Sequence, residues 1–237
     1  MSRWSRWLRL PRFGGVRYLP SPDAGKGELV VLVHGLICRS SNMMILARRL
    51  QRAGFAVYVY DYRTTTKNIA GHGVDFKRFL ERLAQENPGR QLHIVTHSMG
   101  GIITREALGH LAAGCQNDGE ILTSDRIGRI VMLAPPNHGS DAARRVMRWL
   151  PMVGRMIRPL PELSSAPDAY IHRVPVPVGL DIGILAGRFD GKVRIDYTPL
   201  AGMRHHRVVN AEHLFIMDLP STARQIVRYL RTGRFTE

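Results

Sequence analysis

The sequence predicts an α/β domain with a mostly parallel central sheet, helices on both faces, and a short cap or lid segment late in the chain. Three observations carry this. Glu28 to Gly35 (ELVVLVHG) is a continuous apolar run ended by glycine, the pattern of a strand buried on both faces of a parallel sheet. Beyond it, segments of helical periodicity alternate with β-branched and aromatic runs at the spacing of successive βα units. With 237 residues, 44% of them hydrophobic, the chain is long enough for one sizeable core and does not call for a second.

Each element can be read in turn. After the first strand, Ser40 or Ser41 can cap a helix reaching about Ala53, with Met43, Met44, Leu46, Ala47 and Leu50 as its apolar positions. Arg48, Arg49 and Arg52 lie near its end, where cations suit the helix dipole. Gly54 stops it, and Phe55 to Tyr62 (FAVYVYDY) reads as the next strand. His72 to Asn87 places Val74, Phe76, Phe79, Leu80 and Leu83 at helical spacing, and Pro88-Gly89 ends it before a strand at Gln91 to Thr96. A helix starts near Ser98 and runs to about Ala113. Further strands are expected at Arg129 to Ala134, Val178 to Gly187 and His206 to Asn210, then a terminal helix at Ser221 to Leu230. Ser140 to Val176 breaks the alternation. It is amphipathic, Met-rich and basic, with Met147, Trp149, Leu150, Met152, Val153, Met156 and Ile157 beside Arg144, Arg145, Arg148, Arg155 and Arg158. That composition suits a cap over an apolar site, because Met adapts to varied partners and Arg can face water or lipid phosphate; a core helix with a solvated face is the alternative. The expected organisation is a basic N-terminal segment, 1–27, and one domain, 28–237, with a possible lid insertion at 140–176.

The formal net charge of +15, from 34 Lys plus Arg against 19 Asp plus Glu, favours anionic partners. No helix-turn-helix, zinc-finger or aromatic-rich RNA motif accompanies the charge, which argues against nucleic acid. In the first 18 residues, five arginines and no acid occur, and Trp4, Trp7 and Leu8 interleave with Arg3, Arg6 and Arg9. This is the pattern of an interfacial anchor for an anionic membrane surface, with a solvated basic tail as the alternative. The segment lacks the uninterrupted apolar stretch of a secretory signal; an organellar transit peptide is disfavoured by low Ser content and by Pro11 and Gly14-Gly15. No apolar run is long enough to span a bilayer. The expected location is cytoplasmic, or peripheral to the membrane. Cys38 and Cys115 read as free thiols of a reducing compartment, and no Cys/His spacing suggests a metal site.

Chemistry enters at Thr96-His97-Ser98-Met99-Gly100-Gly101, where an expected strand turns directly into an expected helix. This is the context of a nucleophile elbow, in which small residues flank a serine on a strained turn. Gly100 meets the need; Thr96 stands where glycine is commoner. A helix N-cap serine is the plainer reading. A second element, His34-Gly35-Leu36 at the end of the first strand, tips the balance. A loop there can aim a backbone N–H at a substrate oxygen and form an oxyanion hole with the N–H of the residue after the serine, making Leu36 and Met99 the donors. His34 is expected to hold that loop.

At HGL, THSMGG and the later APPNHGS (134–140), the chain resembles the α/β-hydrolase family, and within it the bacterial lipases and esterases. The resemblance runs roughly from Leu29 to Leu230, leaving 141–176 and the first 27 residues unmatched. It implies Ser98 as nucleophile, followed in chain order by an acid and a histidine. Asp190 answers for the acid, in GRFDGKV, which is similar to the family's Asp-Gly-x-Val; a turn aspartate is the plainer reading, and Asp181 and Asp196 are poorer competitors. His213, in NAEHLFIM between the last strand and the terminal helix, answers for the base. His205 and His206 lie too early, and His138 is expected to be structural. A Ser-His-Asp triad implies carboxylic ester hydrolysis through an acyl-enzyme, with no metal or organic cofactor. The amphipathic segment and basic N-terminus favour lipid-like esters. An acyltransferase or thioesterase with the same triad, or a non-catalytic binding scaffold, are the alternatives.

Overall fold

The computed structural model describes residues 16–21, 28–109, 111 and 122–236. Seven strands form one sheet in the order β1-β3-β2-β4-β5-β6-β7: β1 Arg17–Leu19, β2 Leu29–Val33, β3 Ala56–Tyr60, β4 Leu92–His97, β5 Ile127–Leu133, β6 Ile182–Gly187 and β7 His205–Val209. β1 is antiparallel to β3, and every other pair is parallel. The main helices are α1 Met44–Arg52, α2 Ile69–Glu86, α3 Met99–Leu108 and, closing the chain, α7 Pro220–Thr232, with three short ones, α4 Asp141–Trp149, α5 Val153–Met156 and α6 Pro159–Glu162, between β5 and β6.

Why β2 reads as an unbroken apolar run is now visible. Side chains alternate across a strand, and both faces of this one are covered. Leu29, Val31 and Val33 pack into a core with Phe76, Leu80, Ile102 and Ile103 of α2 and α3, while Val30 and Leu32 pack into a second core with Leu46, Leu50, Ile226 and Tyr229 of α1 and α7. β2 pairs with β3 on one side and with β4 on the other; the chain leaves β2 towards β3, whereas it leaves β4 in the opposite direction, towards β5. The C-terminal ends of β2 and β4 therefore flank a topological switch point, where open α/β sheets form their crevice.

Several elements differ from the sequence reading. Arg17–Leu19, expected within the basic N-terminal segment, is an edge strand of the sheet, with Tyr18 and Tyr58 rings 4.5 Å apart; three residues are too few to leave a periodic signal. Neither Ser40 nor Ser41 caps α1 through its side chain. Ser40–Met43 form a 3₁₀ turn, and the Arg39 N–H donates to Asn42 Oδ1 at 2.9 Å. α2 begins at Ile69 rather than His72, because Asn68 caps it by accepting from the Gly71 N–H. Val74, one of the apolar residues at helical spacing, is half exposed. β6 starts at Ile182, and Val178 is exposed, since Gly179, at φ +79°, turns the chain just before it. α3 ends at Leu108, where Gly109 lies against Pro175: a Cβ there would meet the proline ring at 2.2 Å. The proposed anchor around Trp4 and Trp7, and Cys115, lie outside the described residues.

Residues 141–176 fold as the three short helices and a 3₁₀ turn at Tyr170–Arg173. Their base is tied down at several points. Ser140 pairs with Ser164 as an isolated parallel bridge, Glu162 accepts from the Ile69 N–H at the start of α2, and the Arg158 N–H donates to the Thr65 carbonyl. Among the described residues no helix is long and apolar enough to cross a membrane.

Candidate active site

Ser98 sits between the last residue of β4 and the first of α3 with φ +51°, a backbone conformation that an L-residue adopts only when its surroundings impose it. The imposing contact is backbone on backbone. A Cβ at Gly100 would stand 2.6 Å from the Val33 carbonyl oxygen, and one at Gly35 would stand 3.0 Å from Ser98 Cβ. Only glycine allows β2 and the start of α3 to approach this closely. Thr96 is accommodated because position 101 is also glycine: a Cβ at Gly101 would meet Thr96 Oγ1 at 3.2 Å.

Two loops bring the other groups to the serine. β6 ends at Gly187, and the following turn buries the Asp190 carboxylate, whose side chain is 1% exposed. Asp190 Oδ1 accepts the backbone N–H groups of Lys192 and Val193, each at 2.8 Å, and Oδ2 lies 2.6 Å from His213 Nδ1. Burial pushes this carboxyl up, but the hydrogen bonds from His213, Val193 and Lys192 outweigh it and hold the pKa below the ordinary aspartate value. After β7, the loop 210–219 places buried His213 with Nε2 2.9 Å from Ser98 Oγ. A charged carboxylate on Nδ1 assigns the proton to that nitrogen and leaves the Nε2 lone pair facing the serine hydroxyl.

Leu36 and Met99 flank the same point. Among the described residues no protein acceptor takes the Leu36 N–H, and the Met99 N–H belongs to the first helical turn, whose donors have no partner inside the helix. His34 holds the loop that carries Leu36. It is fully buried, stacks on Tyr62 at 4.4 Å, sets Nε2 3.2 Å from Asp61 Oδ1, and its carbonyl accepts from the Tyr62 hydroxyl. Asp61 in turn accepts the Ser40 N–H.

The competing acids and histidines lie elsewhere. Asp181 precedes β6 and binds Tyr229, Arg129 and Arg204 at the far end of the sheet; Asp196 is exposed and paired with Arg194. His205 packs on Tyr229 and Phe235, and His206 contacts Thr198. In the PNHGS loop His138 is exposed, and its neighbours do the holding. Arg105 donates to the Asn137 carbonyl and side chain, Asn137 Nδ2 donates to the Thr198 carbonyl, and Ser140 Oγ donates to the Lys192 carbonyl beside Asp190. The sequence reading did not single out Asn137, Ser140 or Arg105. It also passed over His97, which is fully buried with Nε2 2.9 Å from the backbone carbonyl of His213. Burial drives His97 down to about 3, so the ring is neutral and its Nε2–H donates to that carbonyl. The only sign in the sequence was its place beside Ser98.

The serine opens into a cavity of about 370 Å³, lined mainly by apolar groups including Leu36, Pro136, Val146, Leu160, Leu163 and Leu214. A more polar groove with Arg39, Asp61, Arg63 and Thr64 to Thr66 shares the Ile37-Cys38 wall with it. The Cys38 thiol is raised by burial. Among the described residues no group of three or more His, Cys, Asp or Glu could hold a metal ion.

Residues 25–171, more than half of the chain, match the family described as serine aminopeptidase, S33. The chain belongs to that α/β-hydrolase family. Solved structures agree with the fold of this hydrolase. A Bacillus licheniformis lipase in its mature form superposes with TM-score 0.69 over 93% of this chain and 98% of its own, at 17% identity. A soluble variant of monoglyceride lipase from Saccharomyces cerevisiae gives 0.66 over 94% and 92%, at 14% identity. Among curated proteins, the medium-chain fatty acid ethyl ester synthase/esterase 2 of Saccharomyces cerevisiae is 38% identical over 92 residues. That match spans 34% of the hydrolase and 20% of the yeast protein.

Proposed function

We propose that the hydrolase cleaves carboxylic esters, lipid-like ones in particular, through an acyl-enzyme on Ser98. The observation that carries this is the hydrogen-bonded series Ser98–His213–Asp190, at 2.9 and 2.6 Å, opening onto an apolar cavity. Ser98 Oγ attacks the ester carbonyl while His213 Nε2 takes its proton. Asp190 stays ionised, orienting the ring and stabilising the imidazolium. The N–H groups of Leu36 and Met99 receive the developing oxyanion. His213 then gives its proton to the departing alcohol, and a water molecule, deprotonated by the same ring, releases the acid and restores Ser98. The acyl chain takes the apolar cavity, and the alcohol portion leaves by the polar groove.

The yeast relative is named as both synthase and esterase, which favours a second reading: an alcohol can replace water in the last step, making a new ester from the same intermediate. The test combines a fluorophosphonate probe with p-nitrophenyl esters from acetate to palmitate, with and without added ethanol. Ser98-dependent labelling and turnover rising with chain length are expected, and Ser98→Ala should lower kcat by about five to six orders of magnitude. Ethyl ester as the main product would select acyl transfer. Failure of a folded protein to label would leave a binding scaffold.

A further inference from the structure

Four large apolar side chains stand exposed along one short stretch of the cap: Trp149 by 75%, Leu150 by 59%, Met152 by 63% and Met156 by 77%. Single exposed apolar residues are ordinary, but a contiguous set marks a surface that something covers. Exposed Arg144, Arg145, Arg148 and Arg155 run through the same stretch, with the Arg148 guanidinium 5.8 Å from the Trp149 ring centre. The acids that bracket it are already engaged, Asp141 by the Ser165 hydroxyl and Glu162 by the Ile69 N–H. The base of the cap is anchored by the Ser140–Ser164 bridge and by Glu162, so the apex is presented from a fixed platform. The same helix, α4, turns Val146 into the catalytic cavity, and Val146, Ile37 and Leu214 line that cavity while remaining partly exposed at its mouth.

We propose that the apex of the cap, residues 144–157, docks on an anionic lipid surface and brings the mouth of the catalytic cavity against it. Charge selects this occupant. A second copy of a chain with net charge +15 would set arginines against arginines, and so would the protein's own first 15 residues, which carry Arg3, Arg6, Arg9 and Arg12. An anionic bilayer complements both parts of the patch: Trp and Met enter the boundary between headgroups and acyl chains, and arginines meet the phosphates. The inference rests on the ester reading only for the purpose that docking serves; the surface itself is independent of Ser98.

Full-length Ser98→Ala protein is floated with vesicles of phosphatidylcholine alone or mixed with phosphatidylglycerol. Binding should require the anionic lipid, weaken with added salt, and fall at least about tenfold in the triple variant Trp149→Ser/Met152→Ser/Met156→Ser, the loss expected when several apolar side chains leave an interface. In the chain with Ser98 intact, the same triple variant should keep its turnover of soluble p-nitrophenyl butyrate. Three results would overturn the proposal: no binding to anionic vesicles, binding unchanged in the triple variant, or binding lost only in Trp4→Ser/Trp7→Ser. A dimer that dissociates on the triple substitution would assign the patch to a second copy and overturn it too. Absence of ester turnover alongside intact vesicle binding would count against the ester reading and leave the docking surface standing.

Discussion

Among the described residues, three that are not glycine have positive φ: Ile37, Ser98 and Ala134. Each follows the C-terminal end of a parallel strand, and two of them line the cavity. Ile37 is β-branched, so its left-handed backbone is the most costly of the three, and its N–H is held by Thr64 Oγ1 at 3.0 Å. Thr64→Val keeps the volume and deletes the acceptor. It should let the loop carrying Leu36 relax and lower kcat/KM by roughly tenfold, about 1.4 kcal/mol of transition-state stabilisation. Asp190→Asn should leave the fold intact and lower kcat by roughly 10⁴-fold, because an amide cannot select the productive tautomer. His97 predicts a pH effect. Its folded-state pKa, down to about 3, lies below the unfolded value of about 6.5, so between these limits the unfolded chain binds the extra proton. Stability is therefore lost as pH falls through that window, by at most about 1.4 kcal/mol per pH unit from this group. Urea unfolding at stepped pH should show a shallower acid slope in His97→Gln, which still offers an N–H to the His213 carbonyl.

At the scale of elements, what a strand or helix needs locally was legible, and what a neighbour imposes was not. β2 was readable because burial on both faces leaves an unbroken apolar run; β1 was not, because three edge residues, two of them only partly buried, carry no period. α2 was readable from Phe76, Phe79, Leu80 and Leu83, but its start depends on the Asn68 cap and on Glu162, which arrives from a segment 93 residues away in sequence. Asn68→Ala should cost about 1 kcal/mol in urea unfolding. Gly100→Ala should cost more. Its Cβ would press on the Val33 and His34 carbonyls rather than on a movable side chain, so β2 and α3 must separate, and a loss of about 3 kcal/mol with greatly reduced probe labelling is expected.

For the whole molecule, one buried cation adds to the ties between segment 141–176 and the sheet. Arg105 of α3 is 3% exposed and donates to the carbonyls of Val174, Pro175 and Asn137, joining the end of segment 141–176 to the loop after β5. Burial pulls its pKa down to about 10, still far above neutrality. Arg105→Leu would strand three carbonyls, at a cost of about 3 kcal/mol, and calorimetry should register a fall in Tm of roughly 6–12 °C. The intact protein should unfold in one transition, because Leu163, Ile171 and Val174 of segment 141–176 belong to the same buried core as the sheet. The net charge of +15 acts at the same scale, setting which surfaces the protein approaches before any specific contact forms.

By itself the sequence determined the class of fold, the position of the strained serine and the order in which the candidate acid and base follow it. Those features depend on residues close together in the chain: alternation of apolar positions, glycines at a tight turn, a turn motif beside a strand end. Only the tertiary structure decided that Ser98 and His213, 115 residues apart, share a hydrogen bond, and that His97, Asn137, Ser140 and Arg105 brace the loops around them. The bracing bonds end on backbone carbonyls. A carbonyl is the same at every residue, so no side-chain pattern in the sequence announces which one a distant donor will find.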